Sequence, residues 1–245
     1  SGLQANMASR ADQMAANLSL ANFGQATELK KRIWFTIGAL IVFRFLSFVP
    51  LPGVDPVALS NLYSTAASGG VLDIFNTFSG GSLERMSIIA LGVMPYITAS
   101  IVVQLASALS PSLAAMKKEG ESGRKKLNQY TRYGTVGLTA IQGYFLAVGL
   151  ETLGASQNIA AVVDPGMFFR IGAVISIIGG TLFLMWLGEQ ITSRGIGNGV
   201  SLIIMIGIVA RLPHALLAEL NARVSVSTGS LIMVIVELVL LFVVF

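Results

Sequence analysis

The chain has 245 residues, of which 54% are hydrophobic and only 11% are charged, and its formal net charge at pH 7 is +4. A mean hydropathy of +0.76 lies far above the range of soluble globular domains. Composition therefore predicts an all-α, polytopic transmembrane helix bundle. The absence of cysteine excludes a disulfide scaffold, thiol chemistry and Cys-bound metal. The single histidine, His214, has no second ligand of its kind, so we expect neither a metal nor a cofactor.

The N-terminal residues 1–27 are small and polar and predict a flexible cytoplasmic tail that precedes a transmembrane region over residues 28–245. A basic cluster, Glu28–Arg32, adjoins the first apolar stretch, which places the N-terminus in the cytoplasm by the positive-inside tendency. Residues 49–84 contain no lysine or arginine, whereas residues 116–133 contain six. This alternation predicts that the chain starts inside, loops outside and returns to the cytoplasm.

Six apolar stretches predict helices: Ile33–Val49, Met86–Leu109, Gly134–Leu150, Phe168–Leu187, Val200–Leu212 and Ser230–Phe245. The fifth has only 13 residues, about 20 Å of helix, so flanking polar residues must extend it or the bilayer must thin. Arg211 and Arg223 are expected in the external loop that follows it. The sixth stretch meets the chain end without a polar anchor, which predicts a truncated last helix.

The stretch from Gly69 to Leu109 organises the rest of the chain. A short apolar run, residues 71–78, cannot cross a hydrocarbon layer that requires roughly 20 helical residues. The glycines of Ser79–Ser82 predict a break, and a helix is expected from Met86 to Leu109 with Pro95 as an internal kink. Irregular backbone at membrane depth is tolerated only inside protein or beside water, so the pattern favours a pathway through the membrane. The alternative is a helix lying on the membrane interface.

One arginine, Arg44, lies within the first apolar stretch, where a charge costs at least about 2.5 kcal/mol by insertion scales. Its place near the outer end favours snorkelling to the interface over a role in a pore. Three prolines within residues 50–56 then end the helix and predict an extended external loop.

A charged loop is predicted over residues 117–133. Topology anchoring explains its basic residues, but anchoring does not require Tyr130 and Tyr133 next to arginine. Aromatic and basic residues together also suit the docking of a macromolecule or of anionic lipid headgroups. Both interpretations stay open at this point.

Four motifs closely resemble the SecY family of bacterial protein translocase channels. They are Phe75–Gly81, Ala90–Ser100, Lys117–Arg124 and Met185–Thr192. The resemblance extends from Leu29 to Phe245. It implies a channel of two pseudo-symmetric halves, of which this chain would supply the first half plus most of the sixth helix.

The resemblance also implies roles for individual residues. The short Gly70–Phe78 region would be a re-entrant plug on the outer side, with Val71, Leu72, Ile74, Phe75 and Phe78 as its apolar residues. A hydrophobic pore ring would include Val93, Ile97, Val200 and Ile204, whose i, i+4 spacing on each helix puts each pair on one face. Gln104 and Gln142 would lie near a lateral gate, although a glutamine between helices more simply forms an interhelical hydrogen bond.

The function implied is a non-enzymatic, protein-conducting channel that passes unfolded secretory chains across the inner membrane and membrane-protein segments laterally into it. The resemblance implies SecE and SecG subunits, the SecA motor ATPase, the ribosome, signal sequences and membrane lipids as partners. The cytoplasmic docking residues would be Lys117, Lys118, Arg124, Lys125, Lys126, Arg132 and Arg194. A secondary transporter with a broken-helix site is the alternative, disfavoured because few ionisable residues approach the apolar stretches. An intramembrane enzyme lacks a candidate catalytic set.

Overall fold

The computed structural model describes residues 27–66, 74, 76, 80–156, 158–224 and 228–244. The predicted all-α fold is confirmed within these ranges, where strand pairing is limited to two isolated bridges. The helices are α1 (Thr27–Leu46), α2 (Pro56–Ala66), α3 (Met94–Leu109), α4 (Pro111–Lys118), α5 (Glu121–Ser156), α6 (Met167–Arg194), α7 (Gly199–Val224) and α8 (Thr228–Val244). The predicted tail lies outside the described residues, apart from Thr27.

The helix after the predicted break begins later than the hydropathy indicates. It starts at Met94 rather than Met86, and Pro95 occupies its first turn, so the expected internal kink at Pro95 is wrong. Proline is favoured in a first turn because the N–H it lacks would have no partner there. Residues 80–93 form successive turns, since apolar composition does not distinguish a helix from a buried irregular segment.

The bend in this region lies instead at Ser110, between α3 and α4. The two helices are bent by 102°. Pro111 begins α4 and Ser110 is extended, as expected of a residue before proline. A chain reversal at the end of the apolar helix is therefore made by Ser110 and Pro111.

The predicted charged loop is mostly helical, which corrects the expectation for residues 117–133. Lys117 and Lys118 end α4, Gly120 takes a positive φ of 86°, and α5 begins at Glu121. Lysine, arginine, glutamine and leucine favour helices, and one glycine suffices to separate two of them. With 36 residues, α5 is about 54 Å long, well beyond a hydrocarbon thickness of about 30 Å. Its charged end therefore extends past the apolar part.

The fifth apolar stretch is extended by its flanking residues, as expected. α7 has 26 residues and includes Pro213 in its interior. Arg211 and Arg223 lie in this helix and not in the expected external loop. The predicted stretch ended at Leu212, before Pro213, whereas the helical backbone continues to Val224 because its hydrogen bonds do not depend on side-chain polarity.

Three helices of the described part are long and apolar enough to cross a membrane: α5, α6 and α7. The bent pair α3 and α4 makes a fourth if it is counted as one span. Helices occupy all six predicted stretches, and membrane crossing by α1 and α8 stays a prediction.

The α5–α6 pair forms the most regular part of the core. α5 presents a stripe of buried, mostly small residues at about four-residue spacing: Thr131, Thr135, Thr139, Gly143, Ala147, Leu150 and Gly154. The three threonine hydroxyls donate to carbonyl groups four residues earlier, so they need no partner across the interface. Buried Ala173 and Ile177 of α6 belong to the same cluster as Ala147 and Leu150. Small residues let the two helices approach closely.

Candidate channel constriction

The four predicted pore-ring residues pack against one apolar cluster. Val93, 4% exposed, belongs to the cluster, and Ile97, Val200 and Ile204 are half-buried against it. The buried members that surround them are Ala39, Phe43, Ile89, Leu184, Leu187, Ile191 and Ile203. The structure therefore brings together residues that are more than 100 positions apart in the chain.

Residues 80–93, which form turns, are named the irregular segment. Two glycine contacts hold this segment and α7 against α6. A side chain at Gly199 would collide with the carbonyl oxygen of Gly188, and one at Gly180 would collide with that of Ile88. Such approaches of backbone to backbone are open to glycine because it has no Cβ. Helix α6 thus positions the segment that ends at Val93 and the helix that carries Val200 and Ile204.

Hydroxyl groups fasten the turn between α6 and α7. Thr192 Oγ1 accepts from the amide of Gly199 at 2.9 Å and donates to the carbonyl of Gly188 at 2.9 Å. Thr36 Oγ1 of α1 accepts from the amide of Ile196 at 3.1 Å. The start of α7, which carries Val200 and Ile204, is therefore tied to both α6 and α1.

Of the predicted plug residues, only Ile74 is described, and its side chain is exposed. Val71, Leu72, Phe75 and Phe78 lie outside the described residues. The structure adds a residue that the sequence reasoning missed. Asn76 is fully buried, accepts from the amide of Glu84 at 2.9 Å and donates to the Glu84 carboxylate at 3.2 Å. The motif containing Asn76 was recognised, but nothing in it indicated a partner eight residues later.

Arg44 does not simply snorkel to the interface. Its Nη1 donates to the carbonyl of Gly80 at 2.9 Å, and its guanidinium lies 5.3 Å from the centre of the Phe48 ring. Arg85 lies over the same ring at 4.2 Å and also donates to Gly80, at 3.2 Å. Snorkelling was expected because hydropathy shows the end of the helix but not the backbone that folds over it.

The two predicted gate glutamines lie in different settings. Gln104 is exposed on α3, while Gln142 is half-buried on α5. Gln142 lines two neighbouring grooves of about 390 and 360 Å³, shared with Leu83 and Leu146. The first groove is almost entirely apolar and reaches Leu59 and Leu62 of α2. A gate role for either glutamine stays a prediction.

The predicted docking residues are all exposed: Lys117, Lys118, Arg124, Lys125, Lys126, Arg132 and Arg194. Arg132 differs from the rest because its Nη2 lies 2.8 Å from both carboxylate oxygens of Glu189 on α6. Lys125 has a longer ion pair with Glu121, at 3.8 Å. Arg132 therefore also joins α5 to α6.

Comparison with known proteins identifies the family. The SecY family model matches residues 87–245 of this chain. The chain belongs to the SecY family. By its family and its apolar helices it is a multi-pass membrane protein.

Curated relatives of this SecY-family chain are bacterial. Protein translocase subunit SecY of Escherichia coli K12 is 54% identical over 193 residues, which cover 79% of this chain and 43% of the relative. The corresponding subunit of Vibrio cholerae is 55% identical over 190 residues, which cover 78% of this chain and 42% of the relative. The chain thus spans less than half the length of these two relatives. Both are translocase subunits, so they lend no support to the secondary-transporter alternative.

Solved structures share the fold of this SecY-family chain. One is a protein conducting channel, and another is Sec61 in a canine ribosome-channel complex from the endoplasmic reticulum. Each aligns with a TM-score of 0.52 at 17% identity, over 75% of this chain and 37% of the other. The chain therefore shares the arrangement of its helices with these two structures.

Proposed function

We propose that this chain forms one wall of a protein-conducting channel in the bacterial inner membrane. The channel passes unfolded secretory chains across the membrane and releases membrane-protein segments sideways into the lipid. One observation carries the proposal: apolar residues from α3 and α7, in a SecY-family chain, converge on one cluster beside an irregular segment.

The pore ring works as a hydrophobic seal. Branched apolar side chains at a narrow point disfavour a continuous column of water. Val93 closes the irregular segment and Ile97 lies in the first turns of α3, while Val200 and Ile204 lie in those of α7. The half-buried Ile97, Val200 and Ile204 are available to a second wall, which completes the ring.

Plug and lateral gate complete the proposal. We assign the plug role to the segment that includes the exposed Ile74 and precedes the turn at Gly80. Gln104 on α3 and Gln142 on α5 border the route by which a signal sequence leaves the pore for the lipid. The apolar groove beside Gln142 supports this assignment, because an apolar segment lowers its free energy there.

The exposed basic residues form a cytoplasmic docking surface. Lys117, Lys118, Arg124, Lys125 and Lys126 lie at the α4–α5 turn, and Arg194 ends α6. We assign to this surface the SecA motor ATPase, the ribosome and anionic lipid headgroups, with SecE and SecG as membrane subunits. Its excess of basic over acidic side chains accelerates association with anionic surfaces. The N-terminus lies in the cytoplasm in this arrangement, and the partner supplies the driving force, so the chain catalyses no reaction.

The seal is tested in the intact channel with Ile97→Ser combined with Ile204→Ser. We expect the resting ion conductance in planar bilayers, with no substrate present, to rise severalfold above the parent, because two branched apolar side chains are lost from two walls. Import of an unfolded precursor into proteoliposomes should persist. The matched control is Ile171→Ser with Ile175→Ser, two exposed α6 residues.

Two results contradict different parts of the proposal. A parent channel that imports no unfolded precursor when supplied with its motor or ribosome overturns the function. A double variant that stays as tight as the control, while precursors still pass, overturns only the assignment of the constriction.

A further inference from the structure

Four charged side chains from three parts of the fold meet beside the turn at Gly80. They are Arg44 of α1, Glu84 and Arg85 of the irregular segment, and Arg211 of α7, and we name them the arginine clamp. All four are half-buried. The seal, gate and docking surface proposed above do not use them.

The first arm of the clamp consists of Arg44 and Arg85, which donate to the same carbonyl group. Gly80 O accepts from Arg44 Nη1 at 2.9 Å and from Arg85 Nη2 at 3.2 Å, as its two lone pairs allow. Arg85 Nε also donates to the carbonyl of Ser47 at 3.1 Å. Both guanidinium groups lie over the Phe48 ring. Because hydrogen bonds with a charged donor are stronger than neutral ones, this arm ties the turn firmly to α1.

The second arm of the clamp is the ion pair between Glu84 and Arg211. Its Oε2 accepts from Asn76 Nδ2 at 3.2 Å and lies 3.6 Å from Arg211 Nη2. Arg211 Nη1 is buried and has no hydrogen-bond partner within the described residues. This arm reaches α7 at a longer distance and with fewer bonds, so it is the weaker of the two.

The clamp brings more positive than negative charge together. Three guanidinium groups face one carboxylate, and like charges in a half-buried site repel one another. The Gly80 carbonyl offsets this repulsion while the turn stays in place. Displacing the turn removes the shared acceptor of Arg44 and Arg85, and their repulsion then opposes the return of the two guanidinium groups to one site.

Backbone contact places the same turn against α7. Gly80 has a φ of 68°, and a Cβ there would lie 3.0 Å from the Cα of Gly207. The turn at Gly80 is thus held between α1 and α7, the helix that carries Val200 and Ile204.

We propose that the arginine clamp holds residues 80–85 against α1 and α7 in the resting channel, and that its release is a step in opening. This inference rests on the proposed function. The clamp residues act by positioning the irregular segment whose last residue is Val93.

The test uses a thiol reporter in the intact channel. Ser82 is fully buried and the chain contains no cysteine, so Ser82→Cys reports exposure of the turn to a water-soluble maleimide. Arg85→Gln should raise the labelling rate and the resting conductance about tenfold, the equivalent of about 1.4 kcal/mol for a charged hydrogen bond. Arg211→Gln should raise both about threefold, as befits a longer ion pair. Lys31→Gln, an exposed α1 variant, should change neither.

A double-mutant cycle separates the clamp from general loss of packing. Glu84→Gln keeps an acceptor for Asn76 but loses its charge, so combining it with Arg211→Gln should add little to either change alone. If Arg85→Gln does not fold, Arg85→Lys keeps the charge with fewer donors and should still raise labelling.

The inference is overturned if the Arg85 and Arg211 variants match Lys31→Gln, or if the Glu84 and Arg211 effects simply add. A parent channel that labels slowly yet imports no precursor would overturn the proposed function and leave the clamp standing.

Discussion

The α5–α6 interface and the segment 80–93 both contribute buried residues to the core, yet they are held together in different ways. In α5 and α6 the backbone hydrogen bonds are satisfied within each helix. Small residues along α5 then allow close packing against Ile177 of α6. Ion pairs join both ends of the pair: Glu151 with Arg170, and Arg132 with Glu189.

The segment 80–93 has no regular helix and satisfies its backbone through turns and neighbours. The amide of Ile88 donates to the carbonyl of Val49 at 3.2 Å, and the carbonyl of Met86 accepts from Leu51 at 2.9 Å. Met86 is buried with a φ of 47°, which is unusual for a residue with a side chain. Such conformations persist only where the surroundings impose them.

The two regions therefore differ in how easily their packing can be rearranged. Helices packed through small residues have one arrangement, whereas turns held by side-chain hydrogen bonds can be released by breaking a few of them. Val93, a residue of the proposed seal, lies where the irregular segment meets α3. In the proposed opening step, the segment 80–93 moves while α6 keeps its position.

The largest effect is expected where the two regions touch. Gly180→Ala would place a methyl group against the carbonyl of Ile88, so the free energy of unfolding should fall by about 2–3 kcal/mol through overpacking. Gly179→Ala is the matched control, since a Cβ there has no neighbour within 4 Å. It should be neutral or stabilise by up to about 1 kcal/mol through helix propensity. Thermal unfolding of the purified protein in detergent measures both.

Equal melting temperatures for the Gly180 and Gly179 variants would show that the irregular segment does not pack tightly against α6. In that case α6 would not be the element that holds the irregular segment in place.

A smaller effect is expected at the end of the α5–α6 pair. Glu151 Oε2 accepts from Arg170 Nη2 at 2.7 Å and from Nε at 2.9 Å, and Glu151 is only 10% exposed. Glu151→Gln should lower the free energy of unfolding by about 2 kcal/mol, because it weakens charged hydrogen bonds. Resting conductance should not change, in contrast to Arg85→Gln.

The control for this variant is Glu121→Gln, which removes an ion pair between two well-exposed side chains. Its effect should stay below about 0.5 kcal/mol. A rise in conductance for Glu151→Gln would mean that stability and opening are not divided between the two regions.

The smallest effect is expected for Arg132 and Glu189. Both are partly exposed, so their coupling energy should be about 0.5–1 kcal/mol despite the two 2.8 Å contacts. Arg132→Ala, Glu189→Ala and the double variant form a cycle that measures it by thermal unfolding. A coupling energy near zero would show that this end of the pair is held by packing alone.

Hydropathy, basic-residue spacing and four motifs were sufficient to predict the helical class and the family, while the residues of the seal stay a prediction. These properties are local, since an apolar stretch needs no knowledge of its neighbours to favour a helix in lipid. Positions 93, 97, 200 and 204 came from the family resemblance, i, i+4 spacing places each pair on one helix face, and all four pack on one cluster.

Tertiary contacts decided the remainder. The start of α3 at Met94, the clamp around Gly80 and the burial of Asn76 depend on which backbone lies opposite each segment. Arg44 looks like a snorkelling residue because its partner, the Gly80 carbonyl, is 36 positions away and carries no side chain to indicate it. Backbone groups are the same at every position, so a sequence identifies the donors of such bonds but not which carbonyl will accept them.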